Sequence, residues 1–184
     1  MNDMNESIMI TSARTEDLNE ETRSAIVAVC VAAHHEEDFR NLFNYVPSGG
    51  WHFLGYDSDE LVSHAMVTTR WLQPEGHPPL KTAYIDAVAT SPSHQGRGYG
   101  SAVMRVLADE IDREYAIACL ETDRETFYAR LGWQTWRGPL AGRSEDGPIP
   151  TPEQHGIMIL RLSKTPALDL DSALSIESQT GRIW

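Results

Sequence analysis

Cysteine is almost missing from this chain, with two among 184 residues, Cys30 inside AIVAVCVAA and Cys119 inside YAIACLE. That excludes a disulfide framework and reads as two small buried residues in a reducing compartment. Long hydrophobic runs are missing too: nothing approaches the roughly 18 apolar residues of a membrane span. The N-terminus, MNDMNESIMI, has no basic segment ahead of an apolar one, so neither a signal peptide nor an anchor is expected and the expected location is cytoplasmic. Positive charge is scarce, 15 Lys and Arg against 27 Asp and Glu, net −12. Such a field repels nucleic acid and anionic membranes and attracts small cations, although alone it does no more than aid solubility. No repeat or low-complexity segment is present, and the length suits one domain, or one domain with a tail, able to fold without staples.

What the chain does have is concentrated in residues 84–111, YIDAVATSPSHQGRGYGSAVMRVLADEI. A short apolar run stops at Ser91, Pro92 and Ser93, passes a glycine-rich segment over 95–100, and opens into a helical pattern. Glycines on alternate positions 96, 98 and 100 clear side chains from a loop whose N–H groups can approach an anion. The helix start adds orphan donors and the positive end of its dipole. A phosphate is the natural guest. It is not a Walker loop, since no Lys follows the glycines, and the spacing is wrong for a dinucleotide fingerprint.

Around that stretch the patterning predicts a strand over 8–13, a helix from Asp17 to about His34, and a short second helix followed by a loop across 35–50. Strands at 51–56 and 61–69, parted by Asp57, Ser58, Asp59 and Glu60, read as a hairpin. A Pro/Gly loop over 73–80 leads to a strand at 82–90. After the glycines comes an amphipathic helix with Val103, Val106, Leu107 and Ile111 on one face. Further on are a strand at 116–120, a helix at 124–131 stopped by Gly132, a strand at 133–140, a polar loop over 142–152 and a strand at 157–162. Residues 163–184 form a polar tail ending in Trp184. The order is that of one mixed α/β domain.

The register Gln95-Gly96-Arg97-Gly98-Tyr99-Gly100 after V-A-T-S-P resembles the pyrophosphate loop Q/R-x-x-G-x-G/A of the GNAT N-acetyltransferases. The run RETFYARLGW at 124–133 resembles that superfamily's F/L-Y-x-x-x-G-W/F block. Within the superfamily, YIDAVAT, the run from Phe127 to Pro139, Thr151-Pro152 and the terminal Trp184 together resemble the aminoglycoside 2′-N-acetyltransferases. The resemblance implies a GNAT fold over 8–162, with a central, mostly antiparallel sheet flanked by helices, and a tail over 163–184 folding back on the acceptor site. It implies acetyl-CoA as cosubstrate and a small cationic aminoglycoside as acceptor; from the histidine spacing, no metal is expected. A homodimer is left open.

Amine acetylation needs a neutral amine, a held thioester, donors for the developing oxyanion and a proton for the leaving thiolate. The resemblance assigns coenzyme binding to backbone groups of Val88, Ala89 and Thr90 and to the loop Gln95, Gly96, Arg97, Gly98, Tyr99 and Ser101 with Gly100. Arg97 is the loop's strong cation, or else a solvent-facing charge. Asp86, unusual within a strand, matches the family's acidic general base acting through water; otherwise it caps a loop. Tyr128 matches the tyrosine that protonates the thiolate, against a purely structural role. Trp184 would close the acceptor site, against a frayed end.

Carboxylates for the acceptor are Glu36, Glu37, Asp38, Asp86 and Glu121. Arg182, two residues before Trp184, stands where kanamycin- and gentamicin-type enzymes tend to carry an acid, and Glu153-Gln154-His155 stands where they have an acidic run. Fewer carboxylates imply an acceptor with fewer amines, which leans the reading to kasugamycin. The alternatives are the kanamycin-type reaction, a GNAT acting on another small amine, and a non-catalytic coenzyme-A-binding regulatory domain. The seven histidines show no metal spacing; adjacent His34 and His35 point apart on a helix.

Overall fold

The computed structural model describes residues 8–179 and 182–184. They divide into two compact units, one made of the chain up to Thr68 with Asp86–Asp109, the other of Thr69–Ile85 with Glu110–Trp184. The fold is mixed α/β with a mostly antiparallel sheet, as expected. No helix among the described residues is long and apolar enough to cross a membrane.

In the first unit, β1 (Met9–Arg14) pairs antiparallel with β2 (Trp51–Asp57), and β2 pairs antiparallel with the first part of β3 (Glu60–Pro74). The β2–β3 turn is two residues long, with Ser58 at φ 55. Helix α1 (Glu20–His34) begins three residues later than Asp17 suggested. The reason is local: Asn19 Oδ1 accepts from the Thr22 N–H at 2.8 Å and caps the helix there, while Thr15–Asp17 is a 3-10 turn. The expected second helix is the single turn α2 (Leu42–Tyr45) behind another 3-10 segment, Glu37–Asn41. Ile26, Val29 and Cys30 of α1 pack with Leu42, Leu54, Leu61 and Ala89. The strand β4 (Leu80–Thr90) ends in this unit and leads to α3 (Tyr99–Ile111).

The second unit holds the far part of β3, the start of β4, β5 (Ile117–Glu121), the short helix α4 (Glu125–Ala129), β6 (Gln134–Thr135), β7 (Leu140–Ser144), β8 (Gly147–Pro150), β9 (Ile157–Arg161) and β10 (Leu174–Glu177). β4 runs parallel to β5 over Thr82–Tyr84, and β9 pairs antiparallel with both β5 and β6.

Three expectations are corrected here. The strand over 133–140 shrinks to two residues because the Arg137 and Gly138 N–H groups donate to Leu170 O at 2.8 and 3.0 Å, and the Trp136 indole N–H donates to Ser172 O at 2.8 Å. The loop over 142–152 is instead the hairpin β7–β8, turning at Glu145-Asp146. And β3 continues past Thr69 to Pro74, because residues 174–176 of the tail pair with it on one side while 174–177 pair in parallel with β7 on the other.

The tail is therefore structural. Arg70, only 1% exposed, donates from Nε to Glu177 Oε1 at 2.8 Å and from Nη2 to the carbonyls of Glu177 and Ile183 at 2.6 and 2.7 Å. Tyr84, Trp136, Leu170, Ile176 and Trp184 share one buried cluster.

Candidate active site

The end of β4 is irregular in a specific way. Ala87 has φ 49, a left-handed conformation that costs a side-chain-bearing residue energy and persists only where the surroundings enforce it. Asp86, half-buried, directly precedes it. Each of the next four carbonyls is held by a side chain. Ala87 O accepts from His64 Nδ1 at 2.8 Å, Val88 O from His34 Nε2 at 3.0 Å, Ala89 O from Ser63 Oγ at 3.1 Å and Thr90 O from Gln95 Nε2 at 3.0 Å. These four bonds fix the shape of the strand end.

Gly96 and Gly98 then take φ 78 and 84, torsions that favour glycine. A Cβ at either would meet nothing within 4 Å, so conformation rather than crowding demands glycine. Gly100 is already helical, so its place in the alternate-glycine pattern has a different cause. The Ala102 N–H donates to Gly98 O at 3.0 Å, which makes Gly98 the entry residue of α3 and leaves the N–H groups of Tyr99, Gly100 and Ser101 without helical acceptors.

Arg97 is 52% exposed and lies 3.7 Å from Asp57 Oδ2, so it is neither a bare solvent charge nor an uncompensated one. Asp57 also accepts from the Tyr99 hydroxyl at 3.0 Å, which raises the Tyr99 pKa. The donor set of backbone N–H groups, a serine and one arginine fits a pyrophosphate.

Behind the strand end lies a buried chain that sequence reasoning passed over. Thr15 Oγ1 is 3.0 Å from His52 Nε2, and His52 Nδ1 is 3.0 Å from His64 Nε2. Burial pushes His52 down to about 4 and His64 to about 3; the Arg23 charge adds to the first and His52 to the second. Both rings are neutral at pH 7. The hairpin register contained the clue, since His52 faces Met66 and His64 faces Leu54. The two are thus diagonal neighbours on one face of otherwise apolar strands. Cys30, buried as expected, has its thiol pushed up to about 12 by burial and lies 3.9 Å from Ala87 O.

Of the acceptor carboxylates in this unit, Glu36, Glu37 and Asp38 are exposed. Glu37 is ion-paired to Arg40, whose guanidinium lowers its pKa through their hydrogen bond.

In the second unit, Tyr128 is 8% exposed, edge-on to Phe127 and Trp133, and burial raises its hydroxyl to about 12. Its hydroxyl is protonated at neutral pH. Glu121 is exposed at the end of β5 and accepts from Gln154 Nε2 at 2.7 Å. Trp184 is 5% exposed rather than frayed, and its indole N–H donates to Thr151 Oγ1 at 3.1 Å. Arg182 lies over the Tyr84 ring, 4.9 Å from its centroid, and donates to Trp184 O. Among the described residues there is no cluster of three or more His, Cys, Asp or Glu able to hold a metal ion.

Comparison with known proteins adds the family. The chain is 28% identical to an aminoglycoside 2′-N-acetyltransferase of Mycolicibacterium fortuitum over 176 residues, 92% of this chain and 89% of that protein. Its fold matches that of the Escherichia coli GNAT family N-acetyltransferase YhbS, solved in complex with CoA, at TM-score 0.64, with 12% identity over 96% of this chain and 94% of that one. It also matches a GCN5-related N-acetyltransferase from Kribbella flavida at TM-score 0.54, with 21% identity over 70% of this chain. There it spans about a third, 34%, of the longer protein. The model of the acetyltransferase (GNAT) domain matches residues 13–136. With that match spanning the glycine loop and most of the sheet, the chain belongs to the GNAT acetyltransferase family.

Proposed function

We propose that this protein transfers the acetyl group of acetyl-CoA to the 2′ amine of an aminoglycoside in the cytoplasm, with kasugamycin the favoured acceptor, and so confers resistance to it. The observation that carries the reading is the likeness to the Mycolicibacterium fortuitum enzyme along 92% of the chain. The coenzyme half is supported by the strand end and loop: Val88, Ala89 and Thr90 present backbone groups to the pantetheine arm. Gln95, Gly96, Arg97, Gly98, Tyr99, Gly100 and Ser101 form the cradle for the pyrophosphate.

In the proposed reaction the amine nitrogen attacks the thioester carbonyl carbon, the amine proton passes to Asp86 through water, the C–S bond breaks, and Tyr128 donates its hydroxyl proton to the departing thiolate. The neutral form of Tyr128 that burial enforces suits that role.

Glu36, Asp38, Glu121 and Trp184 are assigned to the cationic acceptor, Trp184 through its ring, since its carbonyl oxygen accepts from Arg182. Glu37 joins them only by exchanging Arg40 for an amine. Arg182, packed beside Trp184, brings positive charge to a position where a carboxylate would serve a polyamine ring. That favours an acceptor with fewer amines than a deoxystreptamine drug.

Thiol release from acetyl-CoA, measured with kasugamycin, a 2′-amino deoxystreptamine drug and spermidine, tests the proposal. Kasugamycin is expected to react fastest. Faster turnover of the second compound moves the acceptor to the kanamycin type, faster turnover of spermidine moves it to small amines, and no release with either antibiotic overturns the resistance function.

A further inference from the structure

The buried chain from Thr15 to Ala87 has a direction that chemistry alone dictates. A carbonyl oxygen only accepts, so the 2.8 Å contact with Ala87 O requires the proton on His64 Nδ1. A neutral imidazole has one N–H, so His64 Nε2 must accept, and the proton between the rings belongs to His52 Nδ1, 3.0 Å away. His52 Nε2 then accepts in turn, and only the Thr15 hydroxyl, at 3.0 Å, is there to donate to it. The hydroxyl's other neighbour, Gly50 O at 3.2 Å, is satisfied by the Thr15 backbone N–H at 2.9 Å. The tautomer of both rings is fixed from the Ala87 end whichever way that hydroxyl turns. Every member is buried: Thr15 is 7% exposed, and His52 and His64 are 0%. Two apolar side chains would fill the same space without desolvating four ring nitrogens. What the histidines add is a donor aimed at one carbonyl.

That carbonyl belongs to the single left-handed residue of β4. In a regular strand successive carbonyls alternate in direction; here those of residues 87 and 88 are both taken by imidazoles, from His64 and His34. Without the imidazole donor only the weak, long contact of the Cys30 thiol, at 3.9 Å, remains on Ala87 O. The peptide can then relax toward an ordinary extended torsion, which would rotate the backbone of Val88 and shift Asp86 on its other side. We infer that His64, held in its tautomer by His52 and Thr15, is a positioning residue that locks the Ala87 peptide and thereby sets the coenzyme-binding face of the strand end. The inference rests on the coenzyme reading of 88–90 given above.

Two substitutions separate a positioning role from mere filling. His64→Asn places an amide N–H where Nδ1 stood, and His64→Gln places it where Nε2 stood. Coenzyme A binding is measured by calorimetry on the full chain, with thermal melting as a control for folding. Wild type and His64→Asn are expected to bind within about threefold of each other, and His64→Gln about tenfold or more weaker, as loss of one well-placed hydrogen bond predicts. Equal affinity for the two folded variants overturns the inference and leaves the coenzyme reading intact, whereas a wild type that does not bind coenzyme A removes both. Should His64→Gln fail to fold, imidazole 15N spectra of the wild type decide: Nδ1–H tautomers at both His52 and His64 are required, and Nε2–H at His64 overturns the inference.

Discussion

Asp86 immediately precedes the left-handed turn at Ala87, so the direction of its carboxylate depends on a backbone torsion as much as on its own rotamer. Replacing it with alanine should cut turnover by about 10²–10⁴-fold, the usual contribution of a general base. Coenzyme A affinity, measured alongside, should stay within about threefold, a small energy on the affinity scale; unchanged turnover would remove Asp86 from the chemistry. Tyr128, with its hydroxyl near 12, should add no basic limb to the pH profile of kcat below about pH 10, the ordinary tyrosine value. Tyr128→Phe should lower kcat with little change in coenzyme binding.

The histidines make a stability prediction whose sign is clear. In the folded chain they titrate at about 4 and about 3, against 6.5 when unfolded. The unfolded state therefore binds more protons between those values. The contribution is full above pH 6.5 and is lost as pH falls, at up to about 1.4 kcal/mol per pH unit for each ring. Chemical denaturation at pH 7.5 and 5 should show the decline, and a His52→Phe, His64→Leu double variant should flatten it.

Among the elements, the entry to α3 and the inserted tail strand β10 each depend on a glycine. Gly98→Ala forces a side chain into φ 84, which should cost on the order of 1–2 kcal/mol and weaken coenzyme binding more than it lowers the melting temperature. Gly138 tests the tail: a Cβ there would stand 1.8 Å from Ser172 O. Gly138→Ala should therefore displace the segment before β10 and lower stability by about 1–3 kcal/mol, the usual cost of overpacking, as read by urea denaturation. Trp184→Ala empties a buried site and should cost about 3–5 kcal/mol. Trp184→Phe, which keeps most of the ring and loses only the bond to Thr151, is the variant with which to ask whether the acceptor KM rises.

Taken whole, the molecule carries net charge −12, and a cationic acceptor should be drawn to it by a field that salt screens. Its kcat/KM should fall as ionic strength rises from 0.05 to 0.5 M, by about tenfold if steering dominates, while an uncharged amine should show little change.

The local signals of the sequence were enough for the strand-turn-glycine-helix unit, the amphipathic α3, the β2–β3 hairpin and the buried cysteines, because periodicity, turn chemistry and positive-φ glycines act over a few neighbouring residues. Asp86, Tyr128 and the loop from Gln95 to Ser101 stand out as candidates for the same reason, being parts of short motifs. Other features depended on partners distant in the chain. The strand character of 140–144 and of 72–74 depends on pairing with residues 174–177, and that of 147–150 on pairing with β7. Leu174-Ser175-Ile176-Glu177 alternates apolar and polar, but four residues inside a polar tail are too short a run to announce a buried strand. Arg70 reads as a solvent-facing charge until Glu177 and the Ile183 carbonyl enclose it. His52 and His64 read as chance until the hairpin register sets them corner to corner and a left-handed alanine supplies the acceptor. Local composition settles what a segment can form, but which polar groups may be buried is settled only when their hydrogen-bond partners arrive, and those arrive with the tertiary structure.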